Sequence, residues 1–431
     1  MTPPGALLVS LPFCGLPCPP ARLTFERDRV TGAEGACSFC RQEATAPRAT
    51  QARIAGKDAS IDAALDRASE LLSQSRRPFV YGLAASPVGT ARLAARLAAR
   101  IDAAVDVEGG DLLEPELGAI AATGQVTSTF GEMRASADLI VLWRIDPRAT
   151  HPDLFPRGMK ADPPAPAARR FVVVPPVSDH SGVSIAPEAH DLVVPIPRGR
   201  DLQALQRLRG LLHRAPTRTR DASLPVKELQ AAAEAVASAR RVAILWGGGI
   251  AADTPEGSAI AAGFALLTLD ARPGGPRIAA KALGPAGNVA GAMAGLLAAT
   301  GFPRAIGFAA GRPRHDPDRF GAARLLDGGG ADLVLAFEPL GPDRTFAGPT
   351  ILIGSRHAGH GPEAEVFLPV APAALLGDGV WLRADGVPLP RRPAALPPAV
   401  SAAPAPPASA VALPSEADIL AVLLDRLRAA A

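Results

Sequence analysis

The chain has 431 residues, 48% of them hydrophobic and 20% charged, with 45 basic and 42 acidic side chains and a formal net charge of +3. This composition excludes a disordered polypeptide and provides for two or three domains with a large core. The charges are spread along the chain without a basic run and with almost no interleaved aromatics, which argues against a nucleic-acid partner.

No apolar stretch reaches the roughly 18 residues that a membrane helix needs. The opening from Met1 to Val9 has no basic region leading into a long apolar one, so it does not read as a signal peptide and the expected compartment is the cytoplasm. The first segment holds strand-like runs at Ala6 to Leu11 and Arg22 to Glu26, with a turn signal at Thr31-Gly32. It also holds all four cysteines, Cys14, Cys18, Cys37 and Cys40. That clustering suits a metal site in a reducing compartment better than structural disulfides, and small buried thiols without a ligand are the alternative.

From Ile61 the apolar residues Ala63, Ala64, Leu65, Ala68, Leu71 and Leu72 recur at helical spacing. Phe79 to Leu83 then reads as a buried strand and Ala91 to Ile101 as a second helix, an alternation that implies βαβ units and a mainly parallel sheet. A weak internal repeat follows. Ala137-Asp138 opens an apolar run to Leu142, and Ala331-Asp332 opens another to Ala336. Each copy leads through a proline-containing loop to a second strand, Phe171 to Val174 or Thr350 to Ile353, and then to a third run, Asp191 to Pro195 or Glu365 to Pro369. Two related α/β modules are therefore expected. Between them Arg241 to Trp246 reads as a strand ending in Gly247-Gly248-Gly249, a tight structural turn or a nucleotide loop. Beyond Leu389 the chain is Pro- and Ala-rich, and it closes in a helix opened by Ser415 with Asp418 three residues on.

Other constellations carry weaker chemistry. His357 and His360, with Glu363 and Glu365 nearby, sit among glycines that predict a solvated loop. Asp179-His180 beside Ser178 and Ser181 has the residue types of a triad without its geometry. Arg312, Arg314 and Arg319 with His315 are offset by Asp316 and Asp318, the pattern of a solvated mixed-charge loop. His151 reads as fixing a loop.

Several stretches together resemble the B subunit of formylmethanofuran dehydrogenase, a relative of the large subunit of molybdenum and tungsten formate dehydrogenases. They are Pro12-Phe13-Cys14-Gly15 with Cys18, Ala137-Asp138-Leu139 leading to Trp143, Asp146-Pro147 and His151-Pro152, and Gly379-Val380 running on to Asp385-Gly386-Val387-Pro388. The resemblance implies an α/β fold of Rossmann-like modules of the molybdopterin oxidoreductase large-subunit type, domains I to III without a C-terminal barrel. Its implied layout is a small β-rich cysteine-bearing subdomain at 1–54, a discontinuous α/β domain at 55–128 and 300–389, an inserted α/β domain at 129–299, a linker at 390–414 and a C-terminal helix at 415–431.

Catalytic members of that family carry four cysteines for a four-iron cluster; here Cys14, Cys18 and Cys37 match three positions and Leu11 stands at the first. Cys40 could complete a four-thiolate set that zinc accepts more readily than a redox cluster. Those members also place a cysteine and a histidine near residue 110 to ligate the pterin-bound metal. The corresponding stretch here runs from Ala104 to Pro115, with Leu112 and Leu113 at those places, and no cysteine follows Cys40. The acidic Glu108, Asp111 and Glu114 disfavour an anionic pterin nearby.

The resemblance thus implies the non-catalytic type found as the B subunit of the bacterial formyltransferase/hydrolase complex. In that complex sister subunits move a formyl group from a tetrahydromethanopterin carrier to a methanofuran analogue and release formate. The expected partners are an amidohydrolase-like hydrolase, a formyltransferase and a protein like the C subunit, with no nucleic acid and no membrane. No catalytic or cofactor-binding residue is expected and no molybdopterin or tungstopterin, with zinc at Cys14, Cys18, Cys37 and Cys40 left open. The alternative is a working molybdenum or tungsten-pterin subunit with an unusual metal ligand.

Overall fold

The computed structural model describes residues 7–26, 29–147, 151, 153–155, 169–176, 192–215, 223–252, 255–270, 274–338, 346, 348–356, 364–376, 379–391 and 413–429. The chain forms two compact units, the first from Met1–Gly110, Ala286–Arg383 and Val387–Ala431, the second from Asp111–Pro285 and Ala384–Gly386.

In chain order the first unit begins with strands β1 (Leu7–Val9), β2 (Ala21–Glu26) and β3 (Arg29–Glu34), an antiparallel sheet in that order, and helix α1 (Ser38–Thr45). Thr31-Gly32, expected to be a turn, lies inside β3. The bare Gly32 makes room for the Thr24 hydroxyl of β2, only 2.5 Å from where a Cβ would sit. Next come β4 (Ala52–Ile54), β5 (Lys57–Ala59), α2 (Ile61–Gln74), β6 (Pro78–Gly82), α3 (Val88–Arg100) and β7 (Ala104–Val107). Helix α2 starts where Ser60 caps the Ala63 amide, and of the predicted stripe it buries Ala64, Leu65, Ala68 and Leu72, while Ala63 is exposed and Leu71 half-buried.

The second unit contains α4 (Glu114–Thr123), α5 (Phe130–Ser136), β8 (Leu139–Trp143), β9 (Arg170–Val174), β10 (Leu192–Val193), α6 (Asp201–Leu212), α7 (Val226–Ser238), β11 (Arg241–Gly247), α8 (Gly257–Leu269) and β12 (Arg277–Leu283). Its five strands are all parallel, in the order β10-β9-β8-β11-β12. The chain then returns to the first unit with α9 (Val289–Thr300), β13 (Ile306–Ala309), β14 (Arg312–His315), β15 (Leu333–Phe337), β16 (Thr350–Gly354), β17 (Val366–Pro369), the hairpin β18 (Gly379–Leu382) and β19 (Pro388–Arg391), and α10 (Glu416–Ala429). These complete a nine-stranded sheet, β14-β13-β7-β6-β15-β16-β17-β4-β5, parallel in its centre and antiparallel at both margins. The fold is α/β, and its central strands β6, β8 and β15 are buried along their whole length, as parallel strands covered on both faces must be.

The boundaries expected at 128/129 and 299/300 fall at 110/111 and 285/286. Helix α4 packs with α8 in the second unit, and α9 packs with α3 in the first. The run Arg312 to His315, expected to be a solvated loop, forms edge strand β14, because Ala310 and Gly311 take positive φ (51° and 72°) and reverse the chain onto β13.

The internal repeat has a structural meaning. β8-β9-β10 are consecutive parallel neighbours in the second unit, and β15-β16-β17 are the same in the first. Asp138, just before β8, accepts hydrogen bonds from the amides of Arg240 (2.9 Å) and Arg241 (2.8 Å) at the head of neighbouring β11. Asp332, just before β15, accepts from the amides of Arg76 and Arg77 (both 3.0 Å) at the head of neighbouring β6. Desolvation would raise both carboxyls, yet these amide donors, joined at Asp332 by the Ser75 hydroxyl, hold them below the ordinary carboxylate range.

Buried charge ties the loops to each sheet. In the first unit Asp106, 1% exposed, accepts from Arg304 Nε (3.0 Å) and Nη2 (2.9 Å) and from the amides of Val107, Ala305 and Ala322. In the second unit Arg144 donates to Asp201 and to the carbonyls of Pro175, Ile196 and Pro197, while Trp143 Nε1 donates to Asp201 at 2.7 Å. Removing one partner of such a pair strands the other in a low dielectric. Asp106→Ala is expected to cost about 3–5 kcal/mol in urea-induced unfolding, and a change below about 1 kcal/mol would refute that role.

Helix α10 docks on α2 and α3 through Ile419, Leu420, Leu423, Leu424 and Leu427. Its start is a reciprocal cap, Asp418 N to Ser415 Oγ at 3.1 Å and Ser415 N to Asp418 Oδ2 at 2.9 Å. The linker expected before it lies, from 392 to 412, outside the described residues. In its first turn Glu416 is buried and its Oε2 has no hydrogen-bond partner. Burial pushes its carboxyl up from 4.5 to about 7; the Ser86 and Thr90 hydroxyls oppose the rise and Glu338 adds to it. The fold therefore favours the protonated acid. Glu416's contribution to stability is complete below pH 4.5, is lost as pH rises through about 7, and is constant above. The loss amounts to about 3 kcal/mol. Glu416→Gln should flatten the pH dependence of unfolding across this interval, and identical pH profiles for the two proteins would refute the assignment.

Candidate functional site

The cysteines come together around the start of α1. Cys37 is the N-cap residue of that helix, and its Sγ accepts from the Cys40 amide at 3.3 Å. The turn after β1 brings in Cys14 and Cys18, whose sulfurs lie 3.7 Å apart. The Sγ atoms of Cys14, Cys18 and Cys37 all lie within 4.8 Å of one another. Cys40 Sγ donates to the Leu11 carbonyl at 3.6 Å. All four thiols are free, and Cys14, Cys37 and Cys40 are buried while Cys18 is partly exposed. Hydrogen bonds from Cys14, Cys18 and Cys40 converge on Cys37 and hold its thiol far below the ordinary range, whereas Cys14, Cys37 and burial push Cys18 up. The Leu11 side chain, at the first cysteine position of the resemblance, is buried and offers no donor.

The second stretch singled out by the sequence follows β7. After a short turn at Gly110–Leu112, Leu113 is buried against Gly284, where a Cβ would lie 2.8 Å from the Leu113 methyl. Gly248 lies against the Leu112 carbonyl, with no room for a Cβ, and Gly247 against the Arg144 carbonyl. The glycines after β11 thus serve close backbone packing within the second unit. Neither leucine side chain can ligate a metal.

The remaining motifs are structural. His151 is buried, its amide donates to the Pro147 carbonyl (2.7 Å), and its carbonyl accepts from the Leu154 amide (2.8 Å). Burial lowers its imidazole to about 4, so it is neutral near pH 7. His315 Nδ1 is 2.8 Å from the Arg304 carbonyl, and the ring stacks on Phe302. Asp385, in the hairpin turn with Gly386 at φ 81°, accepts from the Phe130 amide at 2.8 Å and so caps α5. Ser178 to Ser181 and His357 to Glu363 lie outside the described residues.

One charged cluster was not foreseen. At the C-terminal ends of β15 and β16, Glu338 accepts from the Ser355 amide (2.5 Å), the Arg356 amide (2.8 Å) and Arg356 Nε (2.5 Å). Arg356 also pairs with Glu43 at 3.0 Å, and Arg48 donates to the Ser355 hydroxyl at 2.8 Å. This end of a parallel sheet is where α/β folds bind ligands; here Arg356 bridges Glu338 and Glu43, while Arg48 donates to the Ser355 hydroxyl and the Glu43 carbonyl. Their sequence separations, up to 313 positions, left no local pattern to find.

No known protein-family profile matches the chain. The B subunit of the tungsten-containing formylmethanofuran dehydrogenase 2 of Methanocaldococcus jannaschii is 24% identical over 411 residues, 89% of this chain and 92% of the relative. That of Methanococcus maripaludis is 21% identical over 410 residues, with the same shares covered. The B subunit of the formyltransferase/hydrolase complex of Methylorubrum extorquens is 34% identical over 89 residues, 21% of this chain and 24% of the relative. In the crystal structure of that organism's FhcABCD complex with methylofuran, one chain matches with a TM-score of 0.69 at 24% identity, covering 88% of this chain and 99% of that one. Over nearly its whole length, the chain is a homologue of the formylmethanofuran dehydrogenase B subunit.

Proposed function

We propose that this chain is a non-catalytic structural subunit of a cytoplasmic formyltransferase/hydrolase complex. Its sister subunits, an amidohydrolase-like hydrolase, a formyltransferase and a protein like the C subunit, move a formyl group from a tetrahydromethanopterin carrier to a methanofuran analogue and release formate. In this reading the two units correspond to the Rossmann-like domains I to III of a molybdopterin oxidoreductase large subunit without the C-terminal barrel, preceded by the cysteine-bearing β-rich segment.

The observation that carries the reading is the packing of Leu112 and Leu113. Where catalytic relatives need a thiolate for the pterin-bound metal, this chain has a leucine backbone against Gly248 and a leucine side chain against Gly284. A saturated hydrocarbon has no lone pair to donate, and the chain has no cysteine after Cys40 to stand in. The residues present do not fit a pterin-bound metal, and no redox step is assigned to them. Similarity to a subunit of the Methylorubrum complex supports the assembly.

The test is purification of the tagged chain from its own cells, with mass spectrometry and elemental analysis. An amidohydrolase-like protein and a formyltransferase should co-purify, with no stoichiometric molybdenum or tungsten. Recovery of the chain alone refutes the assembly, and stoichiometric molybdenum or tungsten refutes the non-catalytic assignment.

A further inference from the structure

We propose that Cys14, Cys18, Cys37 and Cys40 bind one structural zinc ion, a site built from this chain's own residues and independent of the functional reading above. With Zn–S bonds of about 2.3 Å, the sulfurs of a tetrahedral site are about 3.8 Å apart. Cys14 and Cys18 already stand at 3.7 Å, and Cys37 lies within 4.8 Å of both. A four-iron cluster needs its thiolates farther apart, because a cube of iron and sulfide separates them. A fourth thiol lies beside these three. Cys40, one helical turn from Cys37, is buried like Cys14 and Cys37, with its Sγ outside the group of three that lie within 4.8 Å of one another. Its sulfur makes a weak contact to the Leu11 carbonyl. Turning that thiol to a metal closes a C-x3-C, C-x2-C tetrahedron, and the Cys40 amide already donates to Cys37 Sγ as a support for a metal-bound thiolate.

The segment that holds the cysteines is a three-stranded sheet and an eight-residue helix. Its buried apolar side chains include Ala21, Ala33, Ala36 and Ala44 beside Val9, Leu11, Leu16 and Leu23. A metal held by the turn after β1 and by α1 cross-links that sheet to that helix. Binding releases the four thiol protons to solvent and changes no oxidation state, so it needs no co-reactant.

The experiment uses the full-length chain purified from zinc-replete cells without chelators. Elemental analysis should find one zinc per chain and no stoichiometric iron or acid-labile sulfide. Cobalt(II) added to the zinc-stripped protein should give the visible bands of a tetrahedral site and a thiolate charge-transfer band. Cys40→Ser should weaken the charge-transfer band by about a quarter, the loss of one thiolate in four. Because Cys14→Ser and Cys37→Ser could unfold the segment, far-ultraviolet circular dichroism accompanies their loss of zinc, and the wild-type cobalt spectrum carries the test by itself. Four thiols that react freely in a metal-free chain overturn the proposal, as does iron with sulfide. A cobalt spectrum unchanged in Cys40→Ser overturns the fourth ligand. None of these outcomes bears on which sister proteins co-purify.

Discussion

A carboxylate at the entrance of a buried strand, gripping two backbone amides of the strand beside it, sets the register of both sheets. Asp138 does this between β8 and β11, and Asp332 between β15 and β6. Parallel strands buried on both faces lack the alternating pattern that would otherwise specify how they align. A charged acceptor that must find two donors at a sheet's edge supplies what the apolar runs cannot. The same device in both units explains why the Ala-Asp pair survives in a repeat whose other residues have drifted.

Once the strands are aligned, the ends of each sheet are closed by buried charge. Asp106 with Arg304 gathers the amides of Val107, Ala305 and Ala322 in the first unit. Arg144 with Asp201 gathers three loop carbonyls in the second. Irregular backbone can be buried only if its polar groups find partners, and an ion with several donors or acceptors satisfies several at once. The Glu338, Arg356, Glu43 and Arg48 cluster follows the same logic at the end of the sheet where ligands ordinarily bind.

At the positions where the sequence resemblance places metal-ligating groups, this chain packs leucine side chains. Leu113 fills space against Gly284, and Leu11 contributes only a carbonyl to the cysteine cluster. Asp385-Gly386, one of the segments that carries the resemblance, makes a turn and caps α5.

Local pattern was enough to read the α/β class, the two related modules, the helix at Ile61, the capped C-terminal helix and the cysteines as the place to look for a metal. Each of those features is written within a short window: apolar spacing, a cap three residues from its partner, or thiols close along the chain. The division between the units, the place of Thr31-Gly32 within a strand and the run from Arg312 to His315 as a sheet edge emerged only from the folded chain. So did the packing of the glycines after β11 on Leu112 and Arg144. These rest on partners brought together by the fold, so no window of sequence contains both halves of the interaction.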